Sequence, residues 1–400
     1  MYAIYVDNFD RAKFFSRIAQ DIDDEFIFFT TKFSAHLYLS RQFRCYLIRN
    51  QSSATATNCN TIYDQSRLSN FTHVYRGTQT KEQAKIVYDH VYSFLHNHNG
   101  SFSGAFVFNG NSASQSAFVD HFRSKSTPVI FCEISNLPGK VLFDPEGVNA
   151  KSILYNSPNI LDQLPEVEDL KHNNWLEYYN DYKKKPIPQG KQEPKFVFAY
   201  IIDYVSSIFG IGIREESISL LKKISSTFKL ITSKSKSQTS FEYDSLDEPF
   251  VFFPTQVRYD SQLIINSDIN NVDAIHQAYE IAESYNCRLL VKVHPAEQDI
   301  EILKEYKYLQ KKLGFKLVSN NTNDLIVNAK HVVVINSTVG LESLLLHKGV
   351  TVLGRAIYTN FDYERVKKYV HHYLINFEYF SDDFFDTDEF NKVKKYLRMR

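Results

Sequence analysis

The sequence has no excess of charge of either sign: 46 Lys and Arg stand against 46 Asp and Glu. Without a global basic field there is nothing to draw nucleic acid from a distance, so nucleic acid is not expected among the partners. The four cysteines (Cys45, Cys59, Cys132 and Cys287) are scattered, with no CxxC pair and no metal-ligand spacing. That excludes a zinc module and a disulfide framework, and it suits reduced thiols in a cytoplasmic protein. The first residues lack a basic stretch followed by a long apolar one, so no signal peptide is expected. A long apolar run is missing too. The most apolar window, Phe196 to Ile213, is broken by Asp203, Ser206, Ser207 and two glycines. It falls short of the roughly 20 clean residues a membrane span needs. A buried helix is the expectation there, and a membrane-facing helix the alternative. No internal repeat of fixed period is visible.

What is present is 400 residues at 43% hydrophobic content, enough for two ordinary cores. Apolar strands alternate with helix-spaced segments. Tyr2–Val6, Phe26–Phe29, Cys45–Ile48, Ala105–Phe108 and Val129–Cys132 read as strands. Helices are expected at 8–19, 34–41, 82–95 and 112–123 between them, with a loop at 51–60. Such alternation predicts right-handed βαβ units and a parallel sheet. The pattern weakens from 150 to 195. The stretch 178–192, which holds the Lys183–Lys185 run and Pro186-Ile187-Pro188, reads as a linker. A helix is expected at 215–228. A second α/β series then begins at Phe250, with strands ending at Gln256, at His294 and at Asn336. The tail from Phe361 reads as largely helical.

Polar residues at the ends of such strands face the ligand in a doubly wound sheet. His294-Pro295 ends one strand, and proline holds the residue before it extended, so an imidazole there is placed to meet a phosphate. Taken alone, the dipeptide is equally a simple chain turn. Asn336-Ser337-Thr338 opens a helix whose free N–H groups suit a phosphate, although Ser and Thr are also ordinary N-caps. Glu342 follows in the first turns and is a candidate for ribose hydroxyls. Asn109 and Glu133 end strands of the first series. Asp144 adjoins an apolar strand in the turn-rich segment 137–149. Either carboxylate alone is more often an edge or turn residue, but these two are the best catalytic candidates. The triplets Asp21-Ile22-Asp23 and Asp386-Thr387-Asp388 lie in acidic stretches and read as solvated surface. No metal site is expected.

Several strings together resemble one family. They are 131–139 (FCEISNLPG), 143–149 (FDPEGVN), 254–262 (PTQVRYDSQ), 292–295 (KVHP) and 336–342 (NSTVGLE). This set looks like the bacterial capsule polysaccharide biosynthesis family, which includes retaining transferases that move 3-deoxy-manno-octulosonic acid (Kdo) from CMP-Kdo to a lipid-linked acceptor. The resemblance implies an α/β fold of the GT-B type, two Rossmann-like domains with a cleft between them. It implies a nucleotide-sugar site of Gln256, Lys292, His294, Asn336, Ser337, Thr338 and Glu342. It places the nucleophile on Asp144 and the acid/base on Glu133, or the reverse, with Asn109, Arg258 and Asp260 as candidates for sugar contact. No cofactor is implied beyond the donor substrate.

The expected division is 1–180 as an acceptor-side domain carrying the carboxylates and 181–249 as a linker and helical segment. Residues 250–360 are then the nucleotide-sugar domain and 361–400 a helical tail. The expected partners are a nucleotide-sugar donor, a lipid-linked or glycan acceptor, and a peripheral inner membrane or capsule assembly proteins. The alternatives are an inverting transferase of the CMP-sialic acid type and an inactive GT-B module that binds glycan or acts as a scaffold.

Overall fold

The computed structural model describes residues 1–50, 65–98, 100–135, 137–184, 194–216, 241–258 and 260–399. The chain divides into two compact units, one of residues 1–148, 178–232 and 374–400, the other of 149–177 and 233–373.

The first unit is built on a seven-stranded sheet. Strands β1 (Tyr2–Val6), β2 (Phe26–Thr30), β3 (Arg44–Leu47), β4 (Gly104–Phe108) and β5 (Val129–Ile134) are joined by crossovers and run parallel. Two further strands, β6 (Lys140–Asp144) and β12 (Ile375–Asn376), complete the order β12-β6-β5-β4-β1-β2-β3. Strands β1, β2 and β4 are buried along their whole length, as expected of a sheet covered on both faces. Their helices start on local caps. Asn8 accepts the Arg11 N–H to open Phe9–Gln20, and Ser112 with Gln115 forms a capping box for Ala113–Ser124. The core between helices and sheet is aromatic, with Phe14, Phe28, Phe29, Phe118 and Phe122 fully buried.

The second unit repeats the winding on a smaller scale. Strands β7 (Phe250–Pro254), β8 (Arg288–Lys292), β9 (Lys316–Leu317), β10 (His331–Val334) and β11 (Val350–Val352) are all parallel, in the order β11-β10-β7-β8-β9. In both sheets the first strand pairs with the second on one side and the fourth on the other. The order therefore reverses between β1 and β4, and again between β7 and β10, and a crevice at the carboxyl ends of such strands is where ligands bind.

Four expectations are corrected. Residues 149–177 belong with the second unit because carboxylates of that segment pair with its cations: Arg365 is bidentate on Asp162 at 2.8 and 2.7 Å, and Lys368 meets Glu166 at 2.6 Å. The tail is less helical than its pattern suggests. Ile375–Asn376 is a strand, antiparallel to β6, and Tyr379 stacks on Phe14 at 4.8 Å, so the tail rejoins the first unit. Residues 178–184 are not linker but the end of a helix, Asp169–Lys184. The apolar window forms a helix, Pro194–Ile208, but not a buried one. Asp203 turns inward to accept from the Ser34 N–H and hydroxyl, both at 2.7 Å, and this leaves Phe198, Val205, Ile208 and Phe209 on the exposed side.

The expectations for a loop at 51–60, for the helix at 215–228 beyond Glu216, and for the run from Lys185 through Pro188 lie outside the described residues. Among the described residues no helix is long and apolar enough to cross a membrane, and no group of three or more His, Cys, Asp or Glu is arranged to hold a metal.

Candidate functional site

The clearest site is at the switch point of the second sheet. Gln256 follows β7 and Asn336 follows β10, and the two side chains interlock. The Gln256 amide donates to Asn336 Oδ1 at 2.9 Å, and the Asn336 N–H donates back to Gln256 Oε1 at 3.2 Å. Asn271 closes the arrangement by accepting from the Gln256 N–H at 2.9 Å and donating to the Gln256 carbonyl at 2.7 Å. The Asn336 amide also binds the carbonyls of Gln262 and Asn266, at 2.8 and 3.1 Å. All three side chains are buried, so the network fixes the floor of the crevice and its members position other groups.

Above that floor stand groups free to meet a ligand. Ser337 caps the helix Thr338–Leu345 through the Val339 N–H at 3.3 Å, and Thr338 is exposed at its first turn. Gly340 in this turn has a packing reason. A Cβ there would lie 2.6 Å from the ring of buried Tyr358, whose hydroxyl donates to the Ser337 carbonyl. His294 follows β8, held by its own N–H on Thr255 Oγ1 at 3.1 Å. Its Nδ1 accepts from the Ala296 N–H at 3.1 Å, so in the neutral ring the proton sits on Nε2. Burial lowers the His294 pKa, against the opposing fields of Asp260 and Glu297. At neutral pH the residue is an Nε2–H donor at the sheet rim.

Other expected members of this site are engaged elsewhere. Lys292 donates to the Asn320 carbonyl, and burial lowers its pKa, so it is not a free phosphate ligand. Glu342 is buried beside Tyr358, whose pKa it helps to raise. Asp260 caps the helix Ser261–Asn266 through the Gln262 N–H at 2.8 Å, and Arg258 is exposed on the preceding turn.

The first sheet has its own switch point, and Glu133 lies at that end of it. The residue is half-buried at the end of β5, and its pKa is pushed up to about 7: burial outweighs the cation of Arg11 and the N–H of Ile134. Arg11 pairs with Asp7, at the end of β1, and lies over the Phe108 ring at 4.1 Å from its centroid. Asn109 follows β4 in a left-handed conformation, φ 61°, with its Oδ1 buried and without a donor among the described residues. Neither Asp7 nor Arg11 stood out as a candidate in the sequence, yet a charged residue closing the first strand of a Rossmann-like series is the available signal.

Asp144 does not join Glu133. Strand β6 is antiparallel to β5, with Asp144 opposite Phe131 and Leu142 opposite Glu133. Asp144 is therefore displaced toward the far rim of the sheet. It is fully buried, and its Oδ1 accepts from the N–H groups of Glu146 and Gly147 at 2.9 and 3.0 Å. A small cavity of about 190 Å³ beyond this turn is lined by Arg123, Pro145, Glu146 and Tyr396, not by Asp144. The residue holds a turn, and the nucleophile's role is not supported by its place.

Residues 212–361 match the family model described as capsule polysaccharide biosynthesis protein. That stretch contains the whole second switch point and stops short of Glu133 and Asp144. Protein FixF of Sinorhizobium fredii is 35% identical over 140 residues, taking in 32% of this chain and 32% of that protein. The chain thus spans about a third of the length of this curated relative. Among solved structures, the KpsC beta Kdo 2,7 transferase of Thermosulfurimonas dismutans is 12% identical with a TM-score of 0.41, over 99% of this chain and 98% of the other. The beta Kdo 2,4 transferase of the same KpsC is 15% identical with a TM-score of 0.40, over 74% and 87%. Identities this low say nothing of substrate, and the α/β class of two Rossmann-like units stands on the two sheets themselves. The similarity to the capsule polysaccharide biosynthesis family is thus carried by residues 212–361.

Proposed function

We propose that the protein is a glycosyltransferase of capsular polysaccharide assembly that transfers Kdo from CMP-Kdo to a lipid-linked or glycan acceptor. The observation that carries the reading is the second switch point: a locked Gln256–Asn336–Asn271 floor, an open helix N-terminus at Ser337-Thr338 and an Nε2–H donor on His294. Backbone N–H groups and a neutral imidazole suit a nucleotide phosphate and stabilise the charge that grows on CMP as it leaves.

Glu133 is the carboxylate on which the chemistry turns. Retention requires a carboxylate to attack the anomeric carbon while the bond to the CMP oxygen breaks. The acceptor oxygen then displaces the carboxylate and its proton passes to the solvent or the phosphate. Asp144 is folded into its turn, which supports assigning that role to Glu133. A second reading rests on its pKa. A carboxyl titrating near 7 also suits a general base that takes the acceptor hydroxyl's proton in a direct, inverting displacement. Product configuration separates the two, and a single added Kdo on Glu133 in intact-protein mass spectra supports retention.

The donor is tested by heat. CMP is expected to raise the melting temperature more than UMP or UDP, and His294→Ala to remove most of the difference. Equal protection by UDP overturns the CMP assignment. Peripheral contact with an anionic membrane belongs to the same proposal, through the exposed face of Pro194–Ile208 and the lysines at 183 and 184. Flotation with anionic vesicles is expected at low salt and lost at high salt. No flotation at low salt removes that contact.

A further inference from the structure

Residues 149–177 are fastened within the second unit by a row of polar contacts that ends on two histidines. Beyond the Arg365–Asp162 and Lys368–Glu166 pairs, Lys367 meets Asp169 at 2.9 Å, and His172 Nδ1 lies 3.1 Å from His371 Nε2. His172 is 0% exposed, and its Nε2 has no partner among the described residues. Trp175 stacks beside its ring at 5.9 Å and Tyr363 stands edge-on at 5.6 Å, so aromatic rings take the place of water around it. The helix Tyr363–Lys368 widens into a π-type turn, Tyr369–Tyr373, which carries His371. Such widened turns are rare, and they occur often where a helix has work to do.

Facing imidazole nitrogens at this distance share one proton: one ring donates and the other accepts. A first proton from solvent leaves the bond standing, because an imidazolium on one ring still donates to the neutral other. A second proton sets N–H against N–H, and the contact becomes repulsive. The groups facing His172 are Asp169 on its own helix, Glu364 and Lys367 on the helix Tyr363–Lys368, and His371 on the turn, while His347 stacks on Tyr363 at 4.3 Å. Burial, and then the Lys367 cation, push the His172 pKa down to about 4 against the pull of Asp169 and Glu364. A released histidine titrates near 6.5, so between about 4 and 6.5 the released segment binds more protons than the held one. The hold is therefore full above 6.5 and weakens as pH falls through that window.

We propose that the His172–His371 pair is an acid-operated clasp, which holds residues 162–172 against 363–373 while the two rings share a proton and lets them part when both rings are protonated. The neighbouring ion pairs set which residues face each other. The histidines make that meeting sensitive to acid. The clasp does not rest on the transferase reading, since none of its members belongs to either rim.

The test is amide exchange in the full chain, read by mass spectrometry on peptides covering 162–177 and corrected for the intrinsic pH dependence of exchange. From pH 6.5 to 4.5 the opening of this segment is expected to rise about tenfold or more. His172→Phe keeps a ring among Trp175 and Tyr363 but cannot titrate, so the rise should vanish. His371→Gln separates a pair from a lone buried histidine. The glutamine amide offers either its oxygen or its N–H, so a protonated His172 keeps a partner and the rise should shrink to about threefold or less. A parent chain whose opening does not change with pH overturns the clasp. So does a His371→Gln profile identical to the parent's, which would leave burial of His172 alone as the cause. If His172→Phe does not fold, the comparison of the parent with His371→Gln decides by itself.

Discussion

The two sheets share one winding and end in opposite kinds of rim. In the second, Gln256, Asn336 and Asn271 satisfy one another before any ligand arrives, and the donors left over are a helix start and His294. In the first, burial pushes the Glu133 pKa up to about 7, and Asp7, Asn109 and Glu215 hold buried oxygens without a donor among the described residues. A rim with a self-satisfied floor is a rigid receptor for one invariant group. A rim with unmet acceptors is stabilised by whatever brings it donors, water included. The same topology therefore supports two tasks, and the polar residues at strand ends decide which.

The largest expected effect that separates the rims is at Glu133. Glu133→Gln should lower transfer by about a thousandfold or more while CMP protection is retained, because only the first rim is altered. The parent enzyme should show one limb in its rate profile near pH 7 that the variant lacks. Stability follows with a definite sign. A carboxyl whose folded pKa is raised binds more protons folded than unfolded between about 4.5 and 7, so its contribution falls as pH rises through that window. Glu133→Gln should accordingly be more stable than the parent at pH 8, on the order of 2 kcal/mol by denaturant titration.

Next comes the floor of the second rim. Gln256→Ala leaves both the N–H and the Oδ1 of Asn336 without their partner, and should cost about 2–4 kcal/mol and most CMP protection. Gly340→Ala should cost about 1–3 kcal/mol, since the added methyl must push Tyr358 off the Ser337 carbonyl. If CMP protection survives Gly340→Ala intact, the helix start is not part of the nucleotide site. The smallest effect is expected at Asp144. Asp144→Asn retains an oxygen able to accept from Glu146 and Gly147, so transfer should stay within about threefold of the parent and stability within about 1 kcal/mol. A collapse of transfer there would restore Asp144 to the mechanism.

Much of this was legible in the residues. Runs such as Phe250–Pro254 and His331–Val334 are apolar because both faces of a parallel strand are covered, and their C-terminal residues mark the rim. His294 and Asn336 stand out that way, and Gln256 through the family resemblance. Asp144 was misplaced because an apolar run reveals a strand but not its direction. The needed signal was length. Five residues separate Ile134 from Lys140, too few for a parallel crossover, and Gly139 at φ 64° turns the hairpin. Glu215 and Arg11 were missed for another reason. Their importance comes from what tertiary contact leaves unpaired or charged beside them, and no local pattern announces that. The two-residue strand β12 carries no periodicity at all.

That short strand has a consequence for how the protein is made. The first unit is interrupted in sequence: its sheet opens with residue 2 and gains its last strand only at residues 375–376. Lys140 on the Asn376 side chain and the Phe377 N–H on the Gly139 carbonyl then fasten the hairpin that carries Glu133. On the ribosome, residues 233–373 emerge before that strand exists, so the nucleotide half can fold as a unit while its partner still shows an open sheet edge along β6. A chain ending at residue 373 should already bind CMP yet remain protease-sensitive around 137–147. Pairing of β12 with β6 is what closes the first half.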